Sequence, residues 1–556
     1  MNRTRHYFFW MGFLFFLSLV VVDSVIAKDQ NGSKTTQPVA PLFDDLGTYH
    51  HPITTTSELA QRYFNQGMRL VYGFNHNEAI RSFQEVLRLD PNCTMAYWGI
   101  ALALGPNLND RMDNARGKEA YQAIQQAITL ARHVGEHERA YIEALAARYA
   151  ADPEKADRKT LDHAYADAMR NLSQRYPYDL DATTLFAAAL MNTRPWDYWT
   201  ADNQPKEGAL ELVAALESVL ERNPDHIGAI HYYIHAVEAS AQPERALPYA
   251  RRLAAQIPGA GHLVHMPSHI YLRVGLYEDA GESNARAVEV DEAYIEKEQP
   301  KGLYPMMYYP HNIDFLWAAR HMEGRSTEAI AAARRLAART TPEVARQVPP
   351  LEAWTAMPLC ALVRFGKWDE ILAEPSPPKD LVYMTAIWRY ARALAFVGQE
   401  KLEDAKKEYA QLETIANEMD DERMIMGRNT AKNLLAIASH VVAGEIATKE
   451  GQMDTAIEHL EQAVQVQDGL TYTEPPPWYY PVRQSLGAVL LLAGKNAAAE
   501  QVYRKDLEKN PDNGWSLYGL AQSLRAQGKE KDAIVVEEDF KKAWAKADVE
   551  LIASRF

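Results

Sequence analysis

The feature that most constrains this chain is a pair of histidines that recurs at a fixed interval. His231 and His235 are followed 34 residues later by His265 and His269. A period of this length is typical of arrays in which each repeat is a hairpin of two helices. Because equivalent positions of such repeats lie on neighbouring helices, both pairs should face the same side of the array. The spacing therefore predicts a wall of imidazoles on an all-α scaffold.

Residues 1–27 have the pattern of a secretory signal peptide. Arg3 and Arg5 precede an apolar run over residues 7–22, and small residues lead to a cleavage position after Ala27. The apolar run is shorter than the about 20 residues that a membrane-spanning helix needs. We therefore expect an exported protein with no stable membrane insertion after the signal peptide is cleaved.

The charge restricts the classes of partner, and the number of cysteines restricts the possible disulfides. The formal net charge is −15, and removal of the predicted signal peptide changes it to about −16. An acidic surface repels nucleic acid and anionic lipid, so no nucleic-acid partner is expected, whereas cations are attracted. Cys93 and Cys360 give no disulfide framework, and we expect both to be buried apolar residues.

Two segments show the spacing of a helical-hairpin repeat. In each, a glycine marks the close approach of two helices, an aromatic residue fills the groove opposite, and a proline ends the second helix. The residues are Tyr63, Gly67, Leu70, Ala79, Phe83 and Pro91 in the first segment, and Leu486, Gly487, Leu490, Ala499, Tyr503 and Pro511 in the second. This spacing resembles the tetratricopeptide repeat (TPR). We predict an all-α, TPR-type solenoid, a superhelix of helical hairpins with a concave groove.

The middle of the chain follows the same pattern less strictly. We predict that the first helices of three hairpins cover residues 226–239, begin at His262 and begin near His311. We place the boundary between two arrays at the proline-rich residues 340–350. We predict four segments: a signal peptide (1–27), a flexible lead-in (28–60), an N-terminal TPR array that carries the histidines (61–345) and a C-terminal TPR array (346–556).

Histidines are concentrated on the predicted first helices. Eight of the 17 histidines lie between His226 and His321. Residues at i, i+4 and i+7 share a helix face, and adjacent helices pack about 8–10 Å apart, so imidazoles from neighbouring helices can reach one ion. The resemblance to the TPR implies that these positions face the groove. The candidate metal ligands are His231, His235, Glu238, His265, His269 and His311. Additional ligands, or groups that hold the ligands in place, are His262, Asp314, His321 and Tyr271.

The ligand types indicate which ions such a site would take. Neutral imidazole suits copper, zinc, iron and nickel, and a carboxylate fits the same ions. Because the candidate set contains no thiolate and the protein is expected to be exported, we predict copper or zinc first and non-haem iron second. The number of candidate ligands allows one or two ions.

Several stretches resemble a group of bacterial exported TPR proteins that is rich in histidine. They are Tyr72–His76, Ala96–Ala101, Gly261–Tyr271 and Tyr309–Asn312. The eukaryotic tetratricopeptide-repeat-38-like proteins are more distantly similar. The resemblance implies the fold and a periplasmic or secreted location, and it implies no activity.

Two functions are consistent with the sequence. One is a secreted metalloprotein with its ion in the concave groove, acting as a metal-dependent oxidase or hydrolase on a small-molecule substrate if the metal keeps an open position. The other is a non-enzymatic TPR scaffold whose groove binds a peptide or an envelope protein, with histidines that supply hydrogen bonds.

Overall fold

The structure is a computed structural model that describes residues 37–425 and 427–556, so the predicted signal peptide lies outside the described residues. The described chain consists mainly of α-helices joined by short turns. The first half contains α1 Glu58–Tyr72, α2 His76–Leu89, α3 Thr94–Leu104, α4 Asn114–Leu130, α5 Glu136–Ala146, α6 Arg158–Arg175, α7 Leu180–Thr193, α8 Ala209–Arg222, α9 Ile227–Val237, α10 Leu247–Gln256, α11 Gly261–His265, α12 Pro267–Arg273 and α13 Tyr277–Glu298.

The second half continues the succession of hairpins. Its helices are α14 Tyr309–Met322, α15 Ser326–Arg339, α16 Pro342–Gln347, α17 Glu352–Arg364, α18 Trp368–Ala373, α19 Val382–Gly398, α20 Leu402–Glu418, α21 Ala431–Lys449, α22 Met453–Asp468, α23 Arg483–Leu492, α24 Asn496–Lys509, α25 Gly514–Ala526 and α26 Glu530–Ala543. A two-stranded antiparallel sheet pairs β1 Met424–Ile425 with β2 Asn429–Thr430. A π-helical turn, Tyr304–Tyr308, precedes α14.

The packing of the first hairpin shows why its glycine is required. A Cβ atom on Gly67 of α1 would lie 2.4 Å from the Phe83 ring of α2, and a Cβ atom on Gly99 of α3 would lie 2.7 Å from the same ring. Phe83 therefore fills a space that two glycines leave between three helices. This contact is the one that the repeat spacing predicts.

The C-terminal hairpins use the same device. Tyr503 of α24 occupies the space beside Gly487 of α23 and Gly519 of α25, where added Cβ atoms would lie 2.4 Å and 2.1 Å from its ring. Both segments that the sequence analysis identified are therefore helical hairpins packed through an aromatic residue. The all-α, TPR-type fold is confirmed.

The solenoid curls until its C-terminal helices contact its middle. The Trp515 indole nitrogen on α25 donates to the carbonyl oxygen of His321 on α14 at 3.0 Å. A Cβ atom on Gly275, in the turn after α12, would lie 2.6 Å from the Pro511 carbonyl oxygen. These contacts bring the C-terminal array over the concave side of the N-terminal array.

Buried hydrophobic residues form two cores that overlap in sequence. One extends from Ala40 to Tyr308 and the other from Val288 to Leu551. Helix α14, which follows the overlap, packs its apolar residues into the second core. The histidine-bearing helices therefore lie where the two cores meet.

The structure describes the predicted lead-in, residues 28–60, from residue 37 onward. Residues 37–57 contain no helix, yet they pack on the N-terminal array with Ala40 buried. The Phe43 amide, for example, donates to the Gln66 side-chain oxygen at 2.8 Å. A polar composition indicates a lack of regular structure, and it does not reveal hydrogen bonds to distant helices.

A buried carboxylate attaches this segment to α7. Asp181 accepts hydrogen bonds from His51 Nδ1 at 2.8 Å, from His226 Nε2 at 3.2 Å and from the Tyr72 hydroxyl at 2.5 Å. Burial disfavours the carboxylate, but the bonds from His226 and His51 outweigh it, and the pKa of Asp181 lies well below its usual value. Burial also lowers the pKa of His51, whereas the bond to Asp181 raises it, and the net shift is upward.

Among the described residues, no helix has both the length and the apolar character needed to cross a membrane. Cys93 and Cys360 are buried and unpaired, as the sequence analysis expects. Burial raises the pKa of the Cys93 thiol to about 12 and also raises the pKa of Cys360. Both thiols are therefore unreactive core residues.

Candidate metal centre

The first helices of three successive hairpins carry a group of six histidines, called the histidine cluster below. Its members are His231 and His235 on α9, His262 and His265 on α11, His269 on α12, and His311 on α14. Pro267 starts α12 one residue after α11 ends. Because proline lacks a backbone donor, it interrupts the helix at this point and bends the chain between two cluster members.

The rings of the cluster form one continuous group. Neighbouring ring centroids lie between 4.8 Å and 5.6 Å apart. Two triads of histidines have ligand atoms within 4.8 Å of one another: His231, His235 and His262 in one, and His265, His269 and His311 in the other. Glu238 forms a third such group with His235 and His269. The triads adjoin at His235 and His269, whose ring centroids are 5.2 Å apart.

The cluster is buried among aromatic side chains. His231 and His265 have no exposed surface, whereas His311 is partly exposed. The Phe74 ring lies 4.4 Å from the His231 ring, and the Phe315 ring lies 4.5 Å from that of His265. These rings exclude water from the imidazoles and lower the local dielectric constant.

Burial favours the neutral form of four imidazoles of the cluster. Desolvation, followed by repulsion between neighbouring imidazoles, lowers the pKa of His231, His262 and His265 far below the usual value. The same two causes lower the pKa of His311 to about 3. These imidazoles are uncharged at neutral pH, and each has one nitrogen with a free lone pair.

Hydrogen bonds to Nδ1 orient the rings of α9 and α12. His231 Nδ1 donates to the Tyr72 carbonyl oxygen at 2.6 Å. The two oxygens of Glu238 accept from His235 Nδ1 and His269 Nδ1, each at 2.7 Å. A carbonyl or carboxylate oxygen can only accept, so all three rings have a proton on Nδ1, and a neutral ring then has its lone pair on Nε2.

His265 is held in the same tautomer by Asn284 on α13. The Asn284 amide nitrogen donates to the Ala280 carbonyl at 2.7 Å, which turns its oxygen toward His265 Nδ1, also at 2.7 Å. His265 Nε2 therefore carries a lone pair, as His269 Nε2 does when that ring is neutral. These two atoms face each other at 2.9 Å. Without a cation between them, two lone pairs would repel.

The separations fit a common metal ion. The Nε2 atoms of His265 and His269 are 2.9 Å apart, and those of His231 and His262 are 3.2 Å apart. Two nitrogens at these separations, bound at about 2.0–2.1 Å, subtend about 90–105° at the metal. Tetrahedral and octahedral coordination both accommodate such angles. His235 Nε2 is buried and has no hydrogen-bond partner among the described residues, as expected for an uncoordinated ligand atom.

Glu238 orients the cluster through both of its oxygens. Burial raises its pKa, but the electrostatic interactions and hydrogen bonds with His269 and His235 outweigh this, and the pKa lies well below the usual value. The Tyr472 hydroxyl lies 3.2 Å from Glu238 Oε2 and 2.7 Å from Glu474 Oε1. A continuous hydrogen-bonded chain therefore runs from the cluster to residues of the C-terminal array.

The remaining candidates lie outside the cluster. Asp314 accepts from the Trp354 indole nitrogen at 2.9 Å, and burial raises its pKa to about 7. The His321 ring lies against that of Trp317, with centroids 4.7 Å apart. Tyr271 makes no hydrogen bond or ring contact with the cluster in the described structure, and burial raises its pKa to about 12.

A cavity of about 650 Å³ adjoins the cluster. His235, Glu238, Asp314 and His321 of the N-terminal array line one side of it. The other side comes from the loop over residues 196–206 and from residues 467–483 of the C-terminal array. The volume is within the range of small-molecule sites. His235 therefore lies at a cavity that is lined by residues of both arrays.

The sequence analysis missed the groups that orient the imidazoles. Tyr72 contributes a backbone oxygen, which no side-chain pattern reveals. Asn284 lies on the second helix of a hairpin, and its spacing of 19 residues from His265 could have suggested contact between paired helices. Tyr472 and Glu474 are more than 200 residues from α9, and no periodicity connects them to the cluster.

No model of a known protein family matches this chain, and no curated protein matches its sequence. A solved structure of the human IFIT1 dimer with m7Gppp-AAAA is 11% identical, with 89% of this chain and 92% of that chain covered, at a TM-score of 0.33. A human IFIT1 dimer with PPP-AAAA has the same identity and coverage at a TM-score of 0.32. Scores this low support no argument about function. The conclusions about this chain therefore rest on its own geometry.

Proposed function

We propose that this protein binds one or two transition-metal ions through the histidine cluster. The observation that supports the proposal most directly is the pair His265 and His269. Both Nδ1 protons are assigned by their acceptors, and the two Nε2 atoms face each other at 2.9 Å, so their lone pairs would repel if both rings are neutral. A metal ion would replace this repulsion with two bonds. Neutral imidazoles favour copper or zinc first, and iron second.

The proposal extends to an exported, catalytic protein. The signal-peptide pattern of residues 1–27 supports export to the periplasm or the medium. The cavity beside His235 supports a substrate site, because a metal with an open position supplies Lewis acidity for hydrolysis or redox chemistry for oxidation. Glu238 keeps the Nε2 atoms of His235 and His269 directed inward, and Phe74 and Phe315 keep water out.

The concave side gives less support to the competing function, a non-enzymatic scaffold that binds a peptide. Residues 467–483 line the same cavity as His235, so an extended peptide in contact with His235 would have to share that space with them. A metal-free alternative remains chemically sound: His269 protonated on both nitrogens would pair with Glu238 and donate to His265. Metal content distinguishes this arrangement from a metal site.

Elemental analysis of the mature protein, purified without chelators, tests the proposal. We expect near-stoichiometric copper, zinc or iron in the parent protein and its loss in the double variant His235→Ala/His269→Ala. The matched control is His440→Ala/His459→Ala. This pair on α21 and α22 has Nδ1 atoms 3.3 Å apart and lies outside the cluster. The control should keep its metal.

Thermal unfolding provides an independent measurement. A ligand at 100 times its Kd stabilises a protein by about 2.7 kcal/mol, so Cu(II) or Zn(II) should raise the Tm of the metal-free parent. A parent protein that contains no metal and whose Tm does not respond to either ion would refute the metal site and favour the scaffold. Equal metal loss in the control variant would also count against it.

A further inference from the structure

The histidine cluster divides into two triads that have no residue in common. The first triad comes from α9 and α11, and the second triad comes from α11, α12 and α14. The first consists of His231, His235 and His262, and the second of His265, His269 and His311. Three protein ligands are the usual number for a catalytic zinc ion, which keeps its fourth position for an external ligand. Each triad is therefore a complete ligand set for one ion.

A single ion is too small to bind all six imidazoles. Two nitrogens that bind the same metal at about 2.0–2.1 Å can be no more than about 4.2 Å apart. In the part of the chain that the structure describes, each group whose ligand atoms all lie within 4.8 Å of one another contains three residues. An ion bound by one triad therefore leaves the imidazoles of the other triad without a metal.

The third group of this kind joins the triads and is not a third site. It consists of Glu238, His235 and His269. The two Glu238 oxygens accept hydrogen bonds from the Nδ1 atoms of these rings, at 2.7 Å each. A protonated Nδ1 atom has no lone pair for a metal, so only Nε2, across the ring, can bind an ion. Glu238 therefore orients one ligand of each triad.

Each triad contains a pair of Nε2 atoms that face each other. Those of His231 and His262 are 3.2 Å apart, and those of His265 and His269 are 2.9 Å apart. The neutral His231 ring has its lone pair on Nε2, because its Nδ1 donates to the Tyr72 carbonyl oxygen. A proton on His262 Nε2 would satisfy this lone pair without a metal. Occupancy of the first triad therefore has to be measured separately from that of the second.

The triads contact each other at two places. The ring centroids of His235 and His269 are 5.2 Å apart, and those of His262 and His265 are 5.6 Å apart. In both contacts, one ring belongs to the first triad and the other to the second. Ions bound by the two triads would therefore be neighbours, as in enzymes whose two metal ions act on one substrate.

We infer that the histidine cluster is a dinuclear centre, in which each triad binds one transition-metal ion and the two ions are adjacent. This inference rests on the proposed metal function and deepens it, since it assigns each ion to named ligands. An ion with three protein ligands keeps a position for an external ligand. The pair would therefore act on a ligand that can contact both ions.

Titration of the metal-free, full mature protein with Cu(II) tests the inference, with the copper content measured after desalting. We expect two copper ions per parent chain, one for each triad. His262→Ala and His311→Ala each remove a ligand from one triad and leave both hydrogen bonds to Glu238 in place, so each variant should retain one ion. His440→Ala, outside the cluster, is the control and should retain two.

A second pair of variants keeps the test informative where an alanine variant does not fold. His262→Phe and His311→Phe also remove the ligand atoms, but each retains a flat ring among the aromatic side chains of this region. Circular dichroism of the metal-free proteins checks that each variant has the helical content of the parent. The expected copper content is the same as for the alanine variants.

Electron paramagnetic resonance tests whether the two ions are neighbours. Two adjacent Cu(II) ions interact magnetically, so the spectrum of the parent protein should differ from that of isolated Cu(II) and account for less copper than elemental analysis detects. His262→Ala and His311→Ala should each give the spectrum of one isolated Cu(II) ion, which accounts for all of the copper in the sample.

The possible results distinguish this inference from the proposed function. A parent protein that binds no metal refutes both. One ion per parent chain retains the proposed metal function and refutes the dinuclear centre, as do two ions with the spectrum of isolated Cu(II). Two ions that persist in both single-triad variants would place the metal outside the triads and overturn the inference.

Discussion

Replacement of Glu238 by glutamine tests whether hydrogen bonds to Nδ1 keep the cluster ready to bind metal. In the parent protein, both carboxylate oxygens accept an Nδ1 proton, from His235 and from His269, at 2.7 Å each. A glutamine amide has one oxygen and one NH2 group, so it can accept from only one of the rings. The NH2 group would face the other Nδ1 and favour a proton on Nε2, which removes that lone pair from the metal.

The size of the effect follows from the number of ligands lost. Substitution of a group that orients a metal-bound histidine costs 10–100-fold in metal affinity, about 1.4–2.7 kcal/mol. Glu238 is completely buried and holds two ligands, one from each triad. We therefore expect the upper part of this range, about 100-fold, for Glu238→Gln. The fold should persist, since the substitution conserves the shape of the side chain.

Competition with a chelator of known affinity measures the change. Glu408→Gln is the matched control, because Glu408 is buried and accepts from Arg389 at 2.6 Å and Arg392 at 2.8 Å, far from the cluster. It should alter stability and leave metal affinity unchanged. Metal affinity of Glu238→Gln within twofold of the parent value, or an equal loss in Glu408→Gln, would refute the orienting role.

Two further substitutions test the fold. Gly67→Ala should lower the free energy of unfolding by about 1–3 kcal/mol, because its Cβ would lie 2.4 Å from the Phe83 ring. Gly135→Ala is the control, because its added Cβ would have no atom within 4 Å, and it should not lower the free energy of unfolding. Equal urea midpoints for the two variants would contradict the packing argument. Asp181→Asn should cost about 3 kcal/mol near pH 5.5. The contribution of the lowered pKa of Asp181 is complete above its unfolded value, about 3.9, and is lost as the pH falls toward the folded value. The raised pKa of His51 stabilises only below its folded value, so the deficit should shrink at pH 3 and at high pH. A deficit that is constant across thermal melts at these pH values would exclude the ion pair.

Much of the fold was predictable because the repeat is a local pattern. Gly67 and Phe83 are 16 residues apart, as are Gly487 and Tyr503, and each pair lies within a single hairpin. Helix periodicity and turn residues specify such a hairpin without reference to the rest of the chain. The segment at 37–57 was not predictable in this way, since its partners are distant in sequence.

The candidate site likewise has one part that local spacing predicts and another that depends on residues distant in sequence. The 34-residue interval between histidine pairs places imidazoles on equivalent faces of α9, α11 and α12, and the structure brings these rings together. The interval does not specify tautomers, because the acceptors for Nδ1 come from Tyr72, Glu238 and Asn284 on three different helices. Asp314 and His321 share the helical face, but Asp314 instead accepts a hydrogen bond from Trp354 and His321 packs against Trp317.

The sequence by itself determined the helical hairpins, the burial of both cysteines and the row of histidines, because all three follow from spacing within one or two repeats. Only the tertiary structure decided that the histidines are covered and that a cavity opens beside His235. That enclosure depends on the curl of the whole solenoid, which brings Tyr472, Glu474 and Trp478 onto α9 and α12. Small rotations between successive hairpins add up to this curl, and no local sequence pattern predicts the total rotation.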